Sequence, residues 1–255
     1  LTAIPPDHPR YRSLLTRELI VAGVEKGITS IQGLVAQGRG ECFDYLIGEK
    51  TLPSAARAEK TAASLLLLAE RPLISVNGNT AALVPDELIR LSEITGAPLE
   101  VNLFHRTEER VGRIIAHLKS HGATSVLGGG NARLPLSHGR GIVDRNGIYE
   151  ADVVLVPLED GDRCEALIGM GKQVIAIDLN PLSRTARTAT VSIVDNVVRA
   201  LDGIAEAALE MREWDTADLK ALAGDYDNGK TLAEALDAIG GNLRDMAGEI
   251  HGTGD

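Results

Sequence analysis

Thiols are scarce in this chain. Cys42 and Cys164 are the only cysteines among 255 residues, which leaves neither a disulfide framework nor a cysteine zinc site. Both read as small apolar residues rather than nucleophiles, since neither has a histidine nearby in sequence. Aromatic residues make up only 3%, so the core has to be built from Leu, Ile, Val and Ala. Positive charge is outnumbered: 26 Lys and Arg against 36 Asp and Glu give a formal net charge of −10. Nucleic acid and anionic membranes are bound through basic faces, so neither is an expected partner; a local basic pocket is still compatible with this balance. No apolar run approaches the roughly 18 residues of a membrane span, and the N-terminus shows no charged-then-apolar leader, so a cytoplasmic protein is expected. Familiar motifs are missing too. There is no G-x-x-x-x-G-K-[ST], and "GGGNAR" (128–133) has Arg133 where a dinucleotide fingerprint has its last glycine. Neither G-x-S-x-G nor H-E-x-x-H occurs.

The rest is ordinary in bulk, with 44% hydrophobic and 24% charged residues, and the chain is long enough to bury a sizeable core. Residues 10–26 and 54–70 have helical spacing, and Arg10 and Arg17, seven apart, share a face. The glycine-rich stretch between them, "GLVAQGRGECFDYLIGEKT" (33–51), has no clear period. From Leu73 onward, short apolar runs at 73–76, 99–104, 124–127, 153–157, 174–177 and 191–194 alternate with helical stretches at 85–96, 107–122, 163–171 and 196–211. This alternation predicts an α/β, Rossmann-like domain: a mainly parallel sheet with helices on both faces. The N-terminal helical segment (1–72) belongs to this 1–212 domain, and 213–255 is a helical appendix with a frayed tail. "TLAE" at 231–234 reads as a capping box opening the last helix. Residues 128–150 are too long and glycine-rich for a plain connection and read as a functional loop.

In open parallel sheets the ligand sits at the carboxyl ends of the strands. The six runs end, in order, in Asn77-Gly78-Asn79-Thr80, His105-Arg106, Gly128-Gly129-Gly130, Glu159 with Asp160 and Asp162, Asp178 with Asn180, and Asp195-Asn196. Any one cluster is explained as a turn or helix cap. Six along one rim point instead to a polyanion held with a metal. Arginine presents a planar fork to phosphate, carboxylates offer the hard oxygens Mg²⁺ prefers, and glycine lets backbone N–H groups come close. Asp178 would suit a ribose hydroxyl or an adenine amino group. His117 and His121, at i and i+4, are either a metal clamp or partners of the helix dipole.

Several long strings carry a more specific signal: "IPPDHPRYRSLLTRELI", "GLVAQGRGECFDYLIGEKT", "LISVNGNTAALVP", "LEVNLFHRTEERV", "ADVVLVPLEDGDRCEAL" and "VIAIDLNPLSRTARTATVSIVDNVVRA". In order and in register from about Ile4 to Ala200, they resemble the archaeal phosphopantothenate synthetase (4-phosphopantoate–β-alanine ligase) family. That resemblance implies condensation of 4-phosphopantoate with β-alanine at the expense of ATP, with AMP and pyrophosphate released, and a homodimer. It also implies nucleotide sites at Arg17, Arg39, Asp178-Leu179-Asn180, Arg184-Thr185, and Asn196 with Val197. Within it, Arg17 and Arg39 take the phosphates, and Asn77 and Asn79 hydrogen-bond the acyl group. Arg10 either takes the phosphate of phosphopantoate or is a solvated first-turn arginine. Glu159, Asp160 and Asp162 serve Mg²⁺ or the β-alanine ammonium, or simply cap the following helix, the metal reading resting on Asp160 and Asp162. "GRGE" (38–41) is alternatively a tight turn with Arg39 paired to Glu41. Two rival readings stand beside the ligase: an NAD-type oxidoreductase, and a nucleotide-responsive scaffold without turnover.

Overall fold

A computed structural model of the chain describes residues 4–252 apart from 6, 9 and 159. The strands are β1 (Pro72–Val76), β2 (Leu99–Val101), β3 (Val126–Leu127), β4 (Ala132–Arg133), β5 (Ile142–Val143), β6 (Val153–Pro157), β7 (Gln173–Ile177) and β8 (Val191–Ile193). Six of them form one sheet in the order β3-β2-β1-β6-β7-β8, and β4 pairs with β5 separately. Every pairing in the large sheet is parallel, so Leu99, Ile74, Leu155, Ile175 and Val191 line up in one row across it.

Side chains alternate across a strand, and here both sides are apolar. The row just named faces α3 (Pro53–Leu68), α5 (Pro85–Thr95) and α9 (Val197–Met211) in the larger core. The alternate residues Leu73, Val154, Val156, Val174 and Ala176 face α7 (Gly161–Gly169) and the 142–151 segment in a smaller one. Double-sided burial is why these strands read as continuous apolar runs. Helices thus cover both faces, as the alternation predicts.

The boundaries differ in places. The 99–104 run leaves the sheet after Val101, because Asn102 turns its side-chain amide to the carbonyls of Arg140 (3.1 Å) and Ile142 (3.0 Å). The segment without a clear period is a helix, α2 (Ile31–Ile47), capped by Ser30 and ended by Gly48 in the left-handed region. Its interior glycines weaken helix propensity by about 1 kcal/mol each relative to alanine, yet Gly33 is required by packing. A Cβ there would stand 2.3 Å from Asn79 Oδ1 on α4 (Gly78–Leu83). "GRGE" is therefore helix and not a turn, and Glu41 pairs with Arg17 on α1 (Tyr11–Glu25) rather than with Arg39. The stretch after β1 is not a plain turn either, since Asn77 and Thr80 form a capping box that opens α4.

At the C-terminal end, α10 (Thr216–Gly224) and α11 (Asn228–Gly252) pack on α3, and α11 also meets α2 and β8. The expected capping box at Thr231 is not the start of the last helix. Thr231 is buried in the first turn, and Asp227 accepts from Lys230 N at 2.9 Å. Before it, Asn228 Oδ1 accepts the outward N–H of Ser192 on β8 at 2.9 Å, and Tyr226 Oη donates to the Ser192 carbonyl at 3.2 Å. Cys164 is buried as expected, whereas Cys42 is exposed on α2. Among the described residues no helix is long and apolar enough to cross a membrane.

Candidate active site

A cleft of about 560 Å³ opens at the carboxyl end of the sheet. It lies where strand order reverses between β1 and β6, so the connecting helices leave in opposite directions and a crevice stays between them. Its wall is α2, which contributes Gln32, Gln37, Arg39 and Phe43.

Nine of the residues expected at the site line this cleft: Arg39, Asn77, Asn79, Asp160, Asp178, Leu179, Asn180, Asn196 and Val197. Arg39 is exposed. Asn77 uses both ends of its amide. Its Oδ1 accepts from the N–H groups of Asn79 and Thr80, each at 3.0 Å, while its Nδ2 donates to the Pro157 carbonyl at 2.8 Å. The end of β1 is thereby tied to the end of β6. Asn79 Nδ2 donates to Gly33 O at 2.8 Å and fixes α2 against α4. Asp178 organises the turn after β7, accepting from Ser183 Oγ (2.5 Å) and Asn180 N (2.9 Å). Burial outweighs these bonds and raises its pKa.

Other expected residues stand elsewhere. Arg17 lies in an adjoining small depression that shares Gln37 and Asn196 with the cleft, and its Nε donates to Glu41 at 3.0 Å. Arg10 is exposed on the same face, donating to Tyr45 Oη at 2.7 Å, an oxygen that Arg17 also reaches at 3.0 Å. Arg184 is turned outward to Asp162 and Glu165. Thr185 is buried inside α8 (Arg184–Thr188). Glu159 lies outside the described residues. His121 Nδ1 meets Asp86 at 2.7 Å at the end of α6 (Glu108–Ser120), and His117 stacks edge-on against it.

Two arginines with no signal in the sequence pattern also line the cleft, Arg110 from the first turn of α6 and Arg140 from the 139–141 turn. Arg140 is buried and donates to Asp160 through Nε at 2.6 Å. This bears on magnesium. Asp160 faces Arg140 and Asp162 faces Arg184, so each carboxylate already sits against a positive charge that would repel a dication. Among the described residues no three His, Cys, Asp or Glu side chains gather as a metal site. Asp160 and Asp162 do not fit a magnesium site built by the protein.

The floor near Asn196 is held by a charged network. Asn196 caps α9 and donates through Nδ2 to Asp44 of α2 at 2.7 Å. Arg199 donates to Asp44 (2.5 Å) and, through Nε, to Asp195 (2.8 Å), and Thr51 donates to Asp195 at 2.5 Å. Glu59 lies close by on α3, buried, and among the described residues its Oε1 has no hydrogen-bond partner. Burial first, then the charges of Asp195 and Glu206, push its carboxyl up to about 8 against the opposing pull of Arg199. Between the ordinary carboxylate value and about 8, the unfolded chain has lost a proton that the folded one keeps. Stability therefore falls as pH rises through that window and levels off above it. The Glu59→Gln variant is neutral throughout, so its urea midpoint should lose this decline between about pH 5 and 8. A decline as steep as the wild type's would assign it to another group.

Comparison with known proteins agrees with the resemblance read from the sequence. The family profile described as phosphopantothenate/pantothenate synthetase matches residues 54–242. The chain is 61% identical over 250 residues to 4-phosphopantoate–β-alanine ligase of Methanosarcina mazei, covering 98% of this chain and 99% of the relative. It is 55% identical over 249 residues to the ligase of that name from Thermococcus kodakarensis, covering 96% and 95%. With that of Methanospirillum hungatei the identity is 53% over 236 residues, covering 92% and 96%. The chain belongs to the phosphopantothenate/pantothenate synthetase family.

Proposed function

We propose that this chain is an ATP-dependent ligase that joins 4-phosphopantoate to β-alanine, forming 4′-phosphopantothenate, AMP and pyrophosphate in coenzyme A biosynthesis. The observation that carries the reading is the cleft: exposed Arg39 faces the Asp178–Asn180 turn and the start of α9 across one concavity, in a chain whose relatives bear the ligase name over nearly their whole length. The strand order supports describing the sheet as Rossmann-like.

The chemistry is set by the substrates. A carboxylate is a poor acyl donor because oxide would have to leave. A carboxylate oxygen attacks the α-phosphorus of ATP, the bond to pyrophosphate breaks, and an acyl-adenylate forms. The β-alanine ammonium loses a proton, the free amine attacks the acyl carbon, AMP departs, and the nitrogen gives up a second proton to leave the neutral amide. Negative charge accumulates on phosphate oxygens in the first step, so cations serve better than a covalent nucleophile. Arg39 supplies charge from α2, and Arg17 supplies it from the adjoining depression. The amide groups of Asn180 and Asn196, with Val197, line the nucleotide half, and Asp178 fixes the turn that carries Asn180. Arg184 and Thr185 contribute by holding α8 behind that turn. Asp160 lines the cleft and is already held by Arg140, so the β-alanine ammonium would share that carboxylate with the arginine. Magnesium enters only as the counter-ion of the nucleotide, bound chiefly through substrate phosphates.

A homodimer belongs to the same reading. Along α11, Leu236, Ile239, Leu243, Met246 and Ile250 recur at alternating spacings of three and four, the pattern of a helix–helix seam. Leu236, Leu243, Met246 and Ile250 are exposed. Sedimentation giving a monomer at micromolar concentration would remove the dimer.

The deciding assay mixes protein, Mg·ATP, phosphopantoate and β-alanine and separates the nucleotides. AMP formed only with both co-substrates is the expected result. ADP with inorganic phosphate would replace the adenylate by an acyl phosphate, and no turnover would leave a nucleotide-binding scaffold.

A further inference from the structure

The 128–150 segment, which brings Arg140 to the cleft, is tied to the sheet by polar side chains. Glu100 sits in the middle of β2 and is 1% exposed. Its Oε1 accepts the Asp144 N–H at 2.9 Å and its Oε2 accepts the Ile148 N–H at 2.7 Å. That approach requires glycine at 147, where a Cβ would stand 2.0 Å from Oε2. The Asp144 carboxylate in turn accepts from the N–H groups of Gly129 (2.9 Å) and Gly130 (3.2 Å). One buried carboxyl thus holds the 144–148 turn directly and the glycine run through it. Asn102, two residues further on, holds the carbonyls of Arg140 and Ile142.

The same carboxyl is coupled to the opposite partner of Arg140. Ser75 is the register partner of Glu100 between β1 and β2, so the two side chains stand side by side on one face of the sheet. Arg163, buried in the first turn of α7, donates to Ser75 Oγ at 3.0 Å, and its charge acts on Glu100. Three residues before Arg163, Asp160 caps α7 and accepts from Arg140 Nε at 2.6 Å. A ring therefore runs from Glu100 through the loop to Arg140, across to Asp160, and back along α7 to Arg163. A charge so deep is costly. Burial pushes the Glu100 carboxyl up to about 7, against the pull of the Ile148 and Asp144 N–H groups and of Arg163. For folding alone, an apolar side chain of similar volume would serve as well.

Resting on the ligase reading, we infer that Glu100 is a positioning residue for the reaction: it fixes where Arg140 meets Asp160 in the cleft. Being 1% exposed, it does so without touching a substrate. Hydrogen bonds are directional, whereas apolar burial is not. Two oxygens set on two backbone N–H groups therefore fix the orientation of the loop as well as its depth. Apolar packing at the same place would leave the loop free to slide, and Arg140 with it.

Glu100→Met keeps the length of the side chain and removes both acceptors. It should lower kcat/KM in the AMP-forming assay by about 10- to 100-fold. Glu100→Gln, whose amide oxygen keeps one acceptor, should recover part of the loss. A merely structural role is separated by double-mutant cycles. In an Arg140→Met background the Glu100→Met loss should nearly vanish, because residues that act through one contact are not additive, while in an Arg39→Ala background it should persist in full. With an active wild type, equal losses in the two backgrounds, or normal turnover in Glu100→Met, overturn the inference and leave the ligase reading standing. A wild type that makes no AMP overturns the ligase reading and leaves the holding of the loop to hydrogen exchange. The Asp144 and Ile148 amides should then exchange about 10- to 100-fold faster in Glu100→Met, and unchanged rates overturn the hold. Should Glu100→Met fail to fold, the same cycles run with Glu100→Gln decide.

Discussion

Replacing Arg39 with alanine should lower turnover by about 10²- to 10³-fold, the usual loss when one group that stabilises developing charge is removed, without lowering the melting temperature. The two halves of that expectation have separate physical sources. Arg39 is exposed on α2 and lines the cleft, and no hydrogen bond or ion pair ties it to another described residue. Nothing in the fold rests on its charge, and alanine is the best helix former. The charge is therefore available to a ligand, and the triphosphate is the anion expected at that wall. Steady-state kinetics with a thermal melt on the same preparation checks both. Near-normal turnover would take Arg39 out of the mechanism, while a large drop in melting temperature would give it a structural role instead.

The second large effect is on stability. Arg199→Met should destabilise the protein by about 3–5 kcal/mol, the range for breaking a buried pair from one side. Among the described residues, Arg199 is the cation that pairs with both Asp44 and Asp195, and these carboxylates and nearby Glu59 are all largely buried. Without it two carboxylates face each other with little water to screen them. Asp44 also holds Asn196, so the start of α9 and the wall α2 lose their common anchor, and ATP affinity should weaken along with folding. Urea denaturation at neutral pH reads the first effect, and nucleotide binding on the folded fraction reads the second. Arg199→Lys should recover only part of the stability, because one ammonium cannot reproduce a fork bonded to two carboxylates. A midpoint within experimental error of the wild type would mean that the network contributes nothing net.

Much of this architecture is legible in the sequence because parallel strands covered on both faces leave unbroken apolar runs. Val153 to Pro157 and Val174 to Ile177 are such runs, and the polar residues after them fall on one rim by topology alone. α2 is hidden because Gly33, Gly38 and Gly40 suppress helical propensity, and the reason for Gly33 is a contact with Asn79, 46 residues away. Arg110 and Arg140 are hidden for a related reason. One sits in the first turn of an ordinary amphipathic helix, and the other is in a long loop whose position depends on Asn102 reaching two carbonyls in it. Periodicity carries no trace of such long-range choices.

The arrangement at Ser192 has a consequence for how the protein survives crowding. β8 is an outer strand, and an outer strand is a template onto which a stray chain can zip and begin a fibril. Asn228 and Tyr226 occupy the donor and acceptor that Ser192 would otherwise offer, and the opposite margin, β3, is only two residues long. The C-terminal helices thus act as a plug against aggregation, and a chain cut after residue 212 would leave a three-residue docking strip, β8, open to its neighbours.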